Sequence, residues 1–230
     1  MGVTEEEFEA LKAAHEKLRR RQRRNERAQF ARGLLQGVLS MLGPGDVVLD
    51  CGANRGDVTA PLAETGATVH AFEPDPYAFD RLSRRMKGLA NVVLHEAAVG
   101  VTEGTVRLMR AETFADNPQG GSVKSTVVAG GRGIDEGDTA AVDVRMIALP
   151  DLIREIAAAS GEVAFLKLDI EGAELGILEH MHAEGLFDLV RLTVAETHEG
   201  KFKELRPRFA ALRETIGAAY PPTRVNLDWL

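Results

Sequence analysis

Cysteine is nearly absent: Cys51 is the one thiol in 230 residues, so no internal disulfide can form and a reducing compartment, the cytoplasm, is expected. Also missing is any apolar run near the ~20 residues that a membrane-spanning helix requires, so no membrane span is expected. The opening Met-Gly-Val-Thr-Glu-Glu-Glu lacks the basic-then-apolar order of a secretory signal. Positive charge is in deficit: 28 Lys and Arg stand against 35 Asp and Glu, and the net charge of -7 repels a phosphate backbone, which disfavours a nucleic-acid substrate. What remains, 44% hydrophobic and 27% charged residues, is the composition of an ordinary globular protein of one domain.

Residues 4 to 42 contain no proline, and Thr4 with Glu7 has the spacing of a capping box, so residues 1–44 are expected to form a helical extension of one or two helices. Phe8, Leu11, His15 and Leu18 fall on one helical face; a basic run from Lys17 to Arg27 then interrupts the apolar stripe until Phe30, Leu34, Leu35, Val38, Leu39 and Leu42 resume it. The second half should pack on the domain. The first half should project, either as a solvated face and partner-binding surface that joins copies of the chain or as a site for an anionic partner.

From residue 45 onward short apolar runs alternate with helical patterns. Asp46 to Asp50, Val69 to Phe72, Asn91 to Leu94, Val163 to Leu168 and Leu189 to Ala195 read as buried strands. Val58 to Glu64, Pro76 to Met86, Leu149 to Ala159, Ala173 to Met181 and Phe202 to Ile216 read as helices. The alternation predicts an α/β fold of parallel βαβ units. Thr105 to Met109 and Ala141 to Ile147 are further β-rich runs, and Arg224 to Leu230 reads as a final edge strand. Residues 117–138, with six glycines, read as a mobile loop or lid.

Ligands of open α/β sheets sit beyond the carboxyl ends of the strands. The turn Asp50-Cys-Gly52-Ala-Asn54-Arg-Gly56 stands there, its glycines allowing a sharp bend and a close backbone approach to a nucleoside. Glu73 follows the second strand, placed to accept hydrogen bonds from both ribose hydroxyls. A dinucleotide site wants Gly-x-Gly-x-x-Gly so that a pyrophosphate meets the helix start. Gly52-Ala-Asn-Arg-Gly56 lacks the middle glycine, which favours S-adenosylmethionine, a donor without pyrophosphate, over a nicotinamide cofactor.

Between Asp46 and His198 the chain resembles the FkbM family of methyltransferases in two blocks: Val-Leu-Asp50-Cys-Gly52-Ala-Asn54-Arg-Gly56 leading to Phe72-Glu73-Pro74, and Phe165-Leu-Lys167-Leu-Asp169-Ile-Glu171-Gly172-Ala-Glu174. The resemblance implies a Rossmann-like class I methyltransferase fold over residues 45–230: a mostly parallel seven-stranded sheet with helices on both faces and an antiparallel last strand. It also implies O-methylation of hydroxyls on sugars, polyketides or related small metabolites. Before the helix near residue 150 the family pattern has a Thr-Leu-Asp-like segment where this chain has Met146-Ile-Ala-Leu-Pro150-Asp151.

A hydroxyl must lose its proton as it attacks a methyl group, so a base must stand within hydrogen-bond reach. Asp169 and Glu171, at the end of a buried strand, and His198, which titrates near neutrality, are the candidates. Lys167 and Ser122 are placed to touch substrate, and Glu96, after the third strand, to reach the adenine amino group. The opposing reading makes Lys167 and Asp169 an ion pair and Glu171 and Glu174 helix-capping groups. Asp-x-Glu can hold a divalent cation, yet further oxygen ligands are not visible, so no metal is assigned. A nicotinamide oxidoreductase, a non-catalytic module that binds a partner through the arginine-rich helix, and an RNA methyltransferase stay open beside the methyl-transfer reading.

Overall fold

A computed structural model describes residues 4–137 and 141–229; Asp138, the end of the glycine-rich stretch, and Leu230, the end of the last expected strand, lie outside them. The chain opens with α1 (Glu5–Met41), one unbroken helix. Its capping box is in place: Glu7 N–H donates to Thr4 Oγ1 at 3.3 Å, and the Glu7 carboxylate accepts the Thr4 N–H at 2.9 Å. Ala31 and Val38 are buried, with Leu34, Leu35, Leu39 and Leu42 against the same core, whereas Phe8, Leu11, Leu18 and Phe30 are exposed. The packed stripe thus begins after Phe30 rather than at it. At 1.5 Å per residue the segment before it extends about 40 Å.

There follow β1 (Val47–Cys51), α2 (Thr59–Glu64), β2 (Thr68–Phe72), α3 (Pro76–Arg85), β3 (Val92–His95), β4 (Ala98–Gly100), β5 (Gly104–Leu108) and β6 (Arg110–Ala111). The rest comprises the short α4 (Pro118–Ser122), β7 (Ile134–Asp135), β8 (Val142–Ala148), α5 (Leu149–Ser160), β9 (Phe165–Leu168), α6 (Glu174–Ala183), β10 (Thr193–Ala195), α7 (Arg206–Ala219) and β11 (Val225–Asn226). The expected helix from Phe202 divides into a 3-10 turn at Lys203–Leu205 and α7, with Pro207 in the first turn of α7, where its missing N–H costs nothing.

The main sheet has the order β11-β10-β9-β1-β2-β3, and every pairing in it is parallel. Two expectations change. Six strands form it among the described residues rather than seven. The last strand, β11, runs parallel to β10 because α7 carries the chain back to the starting end of the sheet, as a crossover helix does. The runs expected at 105–109 and 141–147 stay out of this sheet. Their strands, β5 and β8, pair antiparallel, β4 joins β8, and Ala98, Leu108 and Val144 close a small core of their own.

Side chains alternate across each buried strand. Leu49 and Cys51 of β1, with Leu166 and Leu168 of β9, enter a core shared with α5, α6 and α7. Val48 and Phe165 point the other way, into a core closed by the end of α1, by α2 and by Trp229. Helices therefore cover both faces.

The glycine-rich stretch is anchored at a few buried points. Gly121 and Ser122 of α4, Thr126 and Ile134 are buried, and Met109 and Thr126 exchange backbone hydrogen bonds at 2.8 and 2.9 Å. Gly121 serves contact: a Cβ there would come within 2.7 Å of the Phe114 Cα, so only glycine fits. This cover lies over the carboxyl edge of the main sheet, where Thr126 Oγ1 donates to the Glu171 carbonyl at 2.7 Å.

Candidate active site

Because the main strands are all parallel, their carboxyl ends share one edge, and β1 stands at the switch point with β2 and β9 as neighbours. The segments leaving β1, β2, β9 and β10 meet there around a cavity of about 370 Å³. Its walls include Gly52, Asn54, Glu73, Ser122, Lys167, Asp169, Glu171 and Glu196. Asp50, Gly56, Glu96 and His198 are not among its lining residues.

The turn after β1 is tied to β2: the Gly52 and Ala53 N–H groups both donate to the Phe72 carbonyl, at 3.0 and 2.9 Å. Gly52 has φ +80°, and a Cβ there would lie 1.8 Å from the Asp169 carbonyl oxygen. Two strand ends can approach so closely only at a glycine. Asn54, at φ +48°, donates its N–H to Glu73 Oε2 at 2.8 Å, and Asp75 N–H donates to Glu73 Oε1 at 2.8 Å. Burial pushes the Glu73 carboxyl up to about 8 in spite of these two donors. Two carboxylate oxygens offer about four acceptor positions, so lone pairs remain for a ligand's hydroxyls.

Asp50 stands behind this turn. It is fully buried, accepts from Thr59 Oγ1 at 2.7 Å and faces Lys167 Nζ at 3.2 Å. The pairing follows from register, since Asp50 and Lys167 are opposite each other on β1 and β9 and share a face. Lys167 also donates to the Gly52 carbonyl at 3.0 Å and lies 3.6 Å from Asp169. Burial lowers the pKa of this ammonium, but Asp50 and Asp169 outweigh it and hold the group cationic. Asp50 thus reaches the turn through Lys167. Gly56, at φ +83°, admits Leu82 of α3, which a Cβ would meet at 2.9 Å, and Glu96 is exposed to solvent. Burial pushes the Cys51 thiol up, which leaves it a packing residue.

Four carboxylates surround His198. Its Nδ1 lies 2.5 Å from Glu174 Oε1, and its Nε2 lies 3.6 Å from Glu171, 3.8 Å from Glu196 and 3.9 Å from Asp169. Burial alone would lower its pKa, but Glu171 and Glu174 raise it to about 11. His198 is therefore a cation at neutral pH and not the neutral base its residue type suggests. Glu171, at φ +57°, is bound by Lys201 Nζ at 2.8 Å; burial raises its pKa, but His198 and Lys201 bring it below the usual carboxylate value. Glu174 is fully buried, accepts the Gly172 N–H at 2.6 Å and holds His198 in place.

Glu196 joins this cluster beside the residues expected from the sequence. Burial, then the charge of Asp169, pushes its carboxyl up to about 7. The sequence did carry a signal: Glu196 follows the apolar run of β10 and is two residues from His198, and residues two apart on an extended chain point the same way. Asp169, Glu196 and His198 also bring one ligand atom each within 4.8 Å of the others. A metal would have to displace the proton that the carboxylates hold on His198.

A second cavity, of about 590 Å³, adjoins the first. Glu26 and Phe30 of α1 form one wall, and Thr197, Glu199, Arg213, Leu227 and Asp228 form the others. Glu196 and Trp229 line both cavities. Arg213 is engaged, donating to Glu199 at 2.7 Å, to Asp228 at 3.0 Å and to the Leu227 carbonyl at 2.8 Å.

Among the described residues no helix is long and apolar enough to cross a membrane. A family model for the methyltransferase FkbM domain matches residues 50–220. Methyltransferase sdnD of Sordaria araneosa is 30% identical over 206 residues, 79% of this chain and 76% of that protein. The 31-O-demethyl-FK506 methyltransferase FkbM of Streptomyces tacrolimicus is 31% identical over 184 residues, 69% of this chain and 67% of that protein. Among solved structures, the 1,6-didemethyltoxoflavin-N1-methyltransferase of Burkholderia thailandensis is 17% identical and covers 69% of this chain and 80% of its own, with a TM-score of 0.22 that carries no weight. The family match leaves the nicotinamide alternative without support. The chain belongs to the FkbM family of S-adenosylmethionine-dependent methyltransferases.

Proposed function

We propose that the chain methylates a hydroxyl of a small, neutral or cationic polyhydroxylated acceptor, such as a sugar or glycoside. Residues 45–230 would form the catalytic domain and residues 1–44 a helical extension. The observation that carries this reading is Glu196, a carboxylate set where the two cavities meet, with its carboxyl near 7.

S-Adenosylmethionine supplies a methyl group on a sulfonium sulfur. The first cavity fits such a donor: Gly52, closed against the Asp169 backbone, shapes the turn that lines it, and Glu73 presents a buried carboxylate suited to ribose hydroxyls. The second cavity suits the acceptor. Four carboxylates, Glu26, Glu196, Glu199 and Asp228, face Arg213, so it disfavours anions, while Phe30 and Leu227 offer apolar surface for a ring.

Among the groups near the acceptor, His198 already carries its proton and Glu171 is neutralised by Lys201. Glu196 has the basicity that suits proton acceptance near neutral pH. As the acceptor oxygen takes the methyl group and the sulfur keeps the electron pair of the broken S–CH3 bond, leaving as a neutral thioether, the hydroxyl proton would pass to the Glu196 carboxylate, with Asp169 orienting the hydroxyl. The name of the Streptomyces relative, a 31-O-demethyl-FK506 methyltransferase, agrees with transfer to oxygen.

The test is methyl transfer from labelled donor to a panel of neutral, cationic and anionic glycosides, read by mass spectrometry. Glu196→Gln should lower kcat by about 10²–10⁴-fold, the usual contribution of a general base, with donor affinity kept. Full activity in that variant would refute the assignment.

A further inference from the structure

The first half of α1 carries an apolar row that no described residue covers. Phe8, Leu11 and Leu18 are 59%, 71% and 63% exposed, and His15 stands between the leucines on the same stripe. Their spacings, three, four and three residues, are those of a and d positions in a heptad, by which two helices wind together. The other faces of this segment carry charged residues and the small Ala10, Ala13 and Ala14, and a projecting helix of that kind gains nothing from tertiary packing.

Charge decides what covers the row. Glu5 and Glu7 flank its start at the e and g positions, and Arg19 and Arg21 flank its end at the next e and g. Glu5, Arg19 and Arg21 have no ion-pair partner among the described residues, and the Thr4 cap uses only Glu7 Oε2. A polyanion would engage the arginines and leave Phe8, Leu11 and Leu18 in water. A parallel copy sets each g position against the e position five residues on, which pairs Glu7 with Lys12 and Arg21 with Glu26 but leaves Glu5 opposite nothing and Arg19 opposite Ala14, whereas an antiparallel copy engages all four flanking charges.

We propose that the row binds a second copy of this chain in antiparallel orientation, with the twofold axis level with Ala13. Phe8 then meets Leu18 of the second copy, and Leu11 meets His15. In antiparallel pairs e faces e and g faces g, so Glu5 falls beside Arg19 of the second copy and Glu7 beside Arg21. Lys12 meets its own copy near the axis, with Glu9 3.6 Å away to offset the repulsion. The overlap ends of itself: Gln22, the next seam position, falls opposite Thr4, the cap outside the helix. Ala31, where α1 begins to pack on the sheet, lies roughly 27 Å along the helix from the axis, so the two bodies hang from opposite ends without collision.

Interfaces this small are weak, so sedimentation velocity of the full chain at about 100 µM is the assay. Wild type should sediment as a dimer. Glu5→Arg with Glu7→Arg, and separately Arg19→Glu with Arg21→Glu, should each weaken association by roughly tenfold or more, because four flanking pairs turn repulsive. These sites are exposed and Glu7→Arg removes only the acid half of the Thr4 capping box, so the fold should be kept, with unchanged circular dichroism as the control. An equimolar mixture of the two charge-reversed proteins should restore the dimer, since each then offers the other complementary flanks. A monomeric wild type, a dimer indifferent to both reversals, or a mixture that stays monomeric would overturn the proposal. So would a wild type that associates only on added heparin or RNA, which would assign the row and its arginines to a polyanion.

Discussion

Replacing Lys167 by methionine is the sharpest perturbation of the turn. Lys167 is 2% exposed and Asp50 is 0% exposed, so the substitution leaves a carboxylate in the core with only the Thr59 hydroxyl at 2.7 Å, and removes the donor 3.0 Å from the Gly52 carbonyl. Breaking a buried pair in this way costs about 3–5 kcal/mol. For a chain of this size each kcal/mol moves the melting temperature by about 2–4 °C, so calorimetry should find Lys167→Met lower by roughly 6–20 °C. The double variant Asp50→Asn with Lys167→Met removes both charges and keeps an acceptor for Thr59. It should lie closer to wild type than Lys167→Met does, with a residual loss of about 1–3 kcal/mol for the unpaired Gly52 carbonyl. A single-variant loss under about 1 kcal/mol, or costs that simply add in the double variant, would refute the claim that Asp50 acts through Lys167.

Other outcomes follow from the same geometry. Gly52→Ala places a methyl group 1.8 Å from the Asp169 carbonyl oxygen at φ +80°, so donor affinity measured by calorimetry should fall on the order of 10²-fold; unchanged affinity would remove Gly52 from the donor site. Glu73 has a carboxyl near 8 that hydroxyl donors would stabilise as the anion, so donor affinity should rise with pH through about 8, and in Glu73→Gln it should not. For His198 the folded pKa near 11 exceeds the ordinary 6.5, so its contribution to stability is complete below about 6.5 and is lost as pH rises toward 11. The stability gap between wild type and His198→Gln, followed by denaturant unfolding, should therefore narrow across that range, and a constant gap would show that the ring is not held as a cation.

Much of the sheet was legible because strands buried on both faces read as unbroken apolar runs and the helices between them keep their own period. The capping of α1 and the place of Glu73 are equally local in origin. The separate sheet of β4, β5 and β8 was not legible, since an apolar run does not say which distant strand it pairs with. The anchoring of residues 117–137 was not legible either, because glycine serves close packing as readily as motion, and the contact of Gly121 with Phe114 exists only in three dimensions. Asp50 has the composition of a ligand residue, yet its register opposite Lys167 turns it inward. His198 changes character for a similar reason: four carboxylates supplied by the segments after β9 and β10 converge on it, and no spacing along the chain reveals that.

The central claim is that the donor lies against Gly52 and Glu73. It is tested most directly by calorimetric titration of S-adenosylmethionine into wild type, Glu73→Ala and Glu96→Ala. Saturable heat in wild type and Glu96→Ala, with affinity at least about tenfold weaker in Glu73→Ala, is the predicted result. Absence of binding in wild type, or equal affinity in Glu73→Ala, would contradict it.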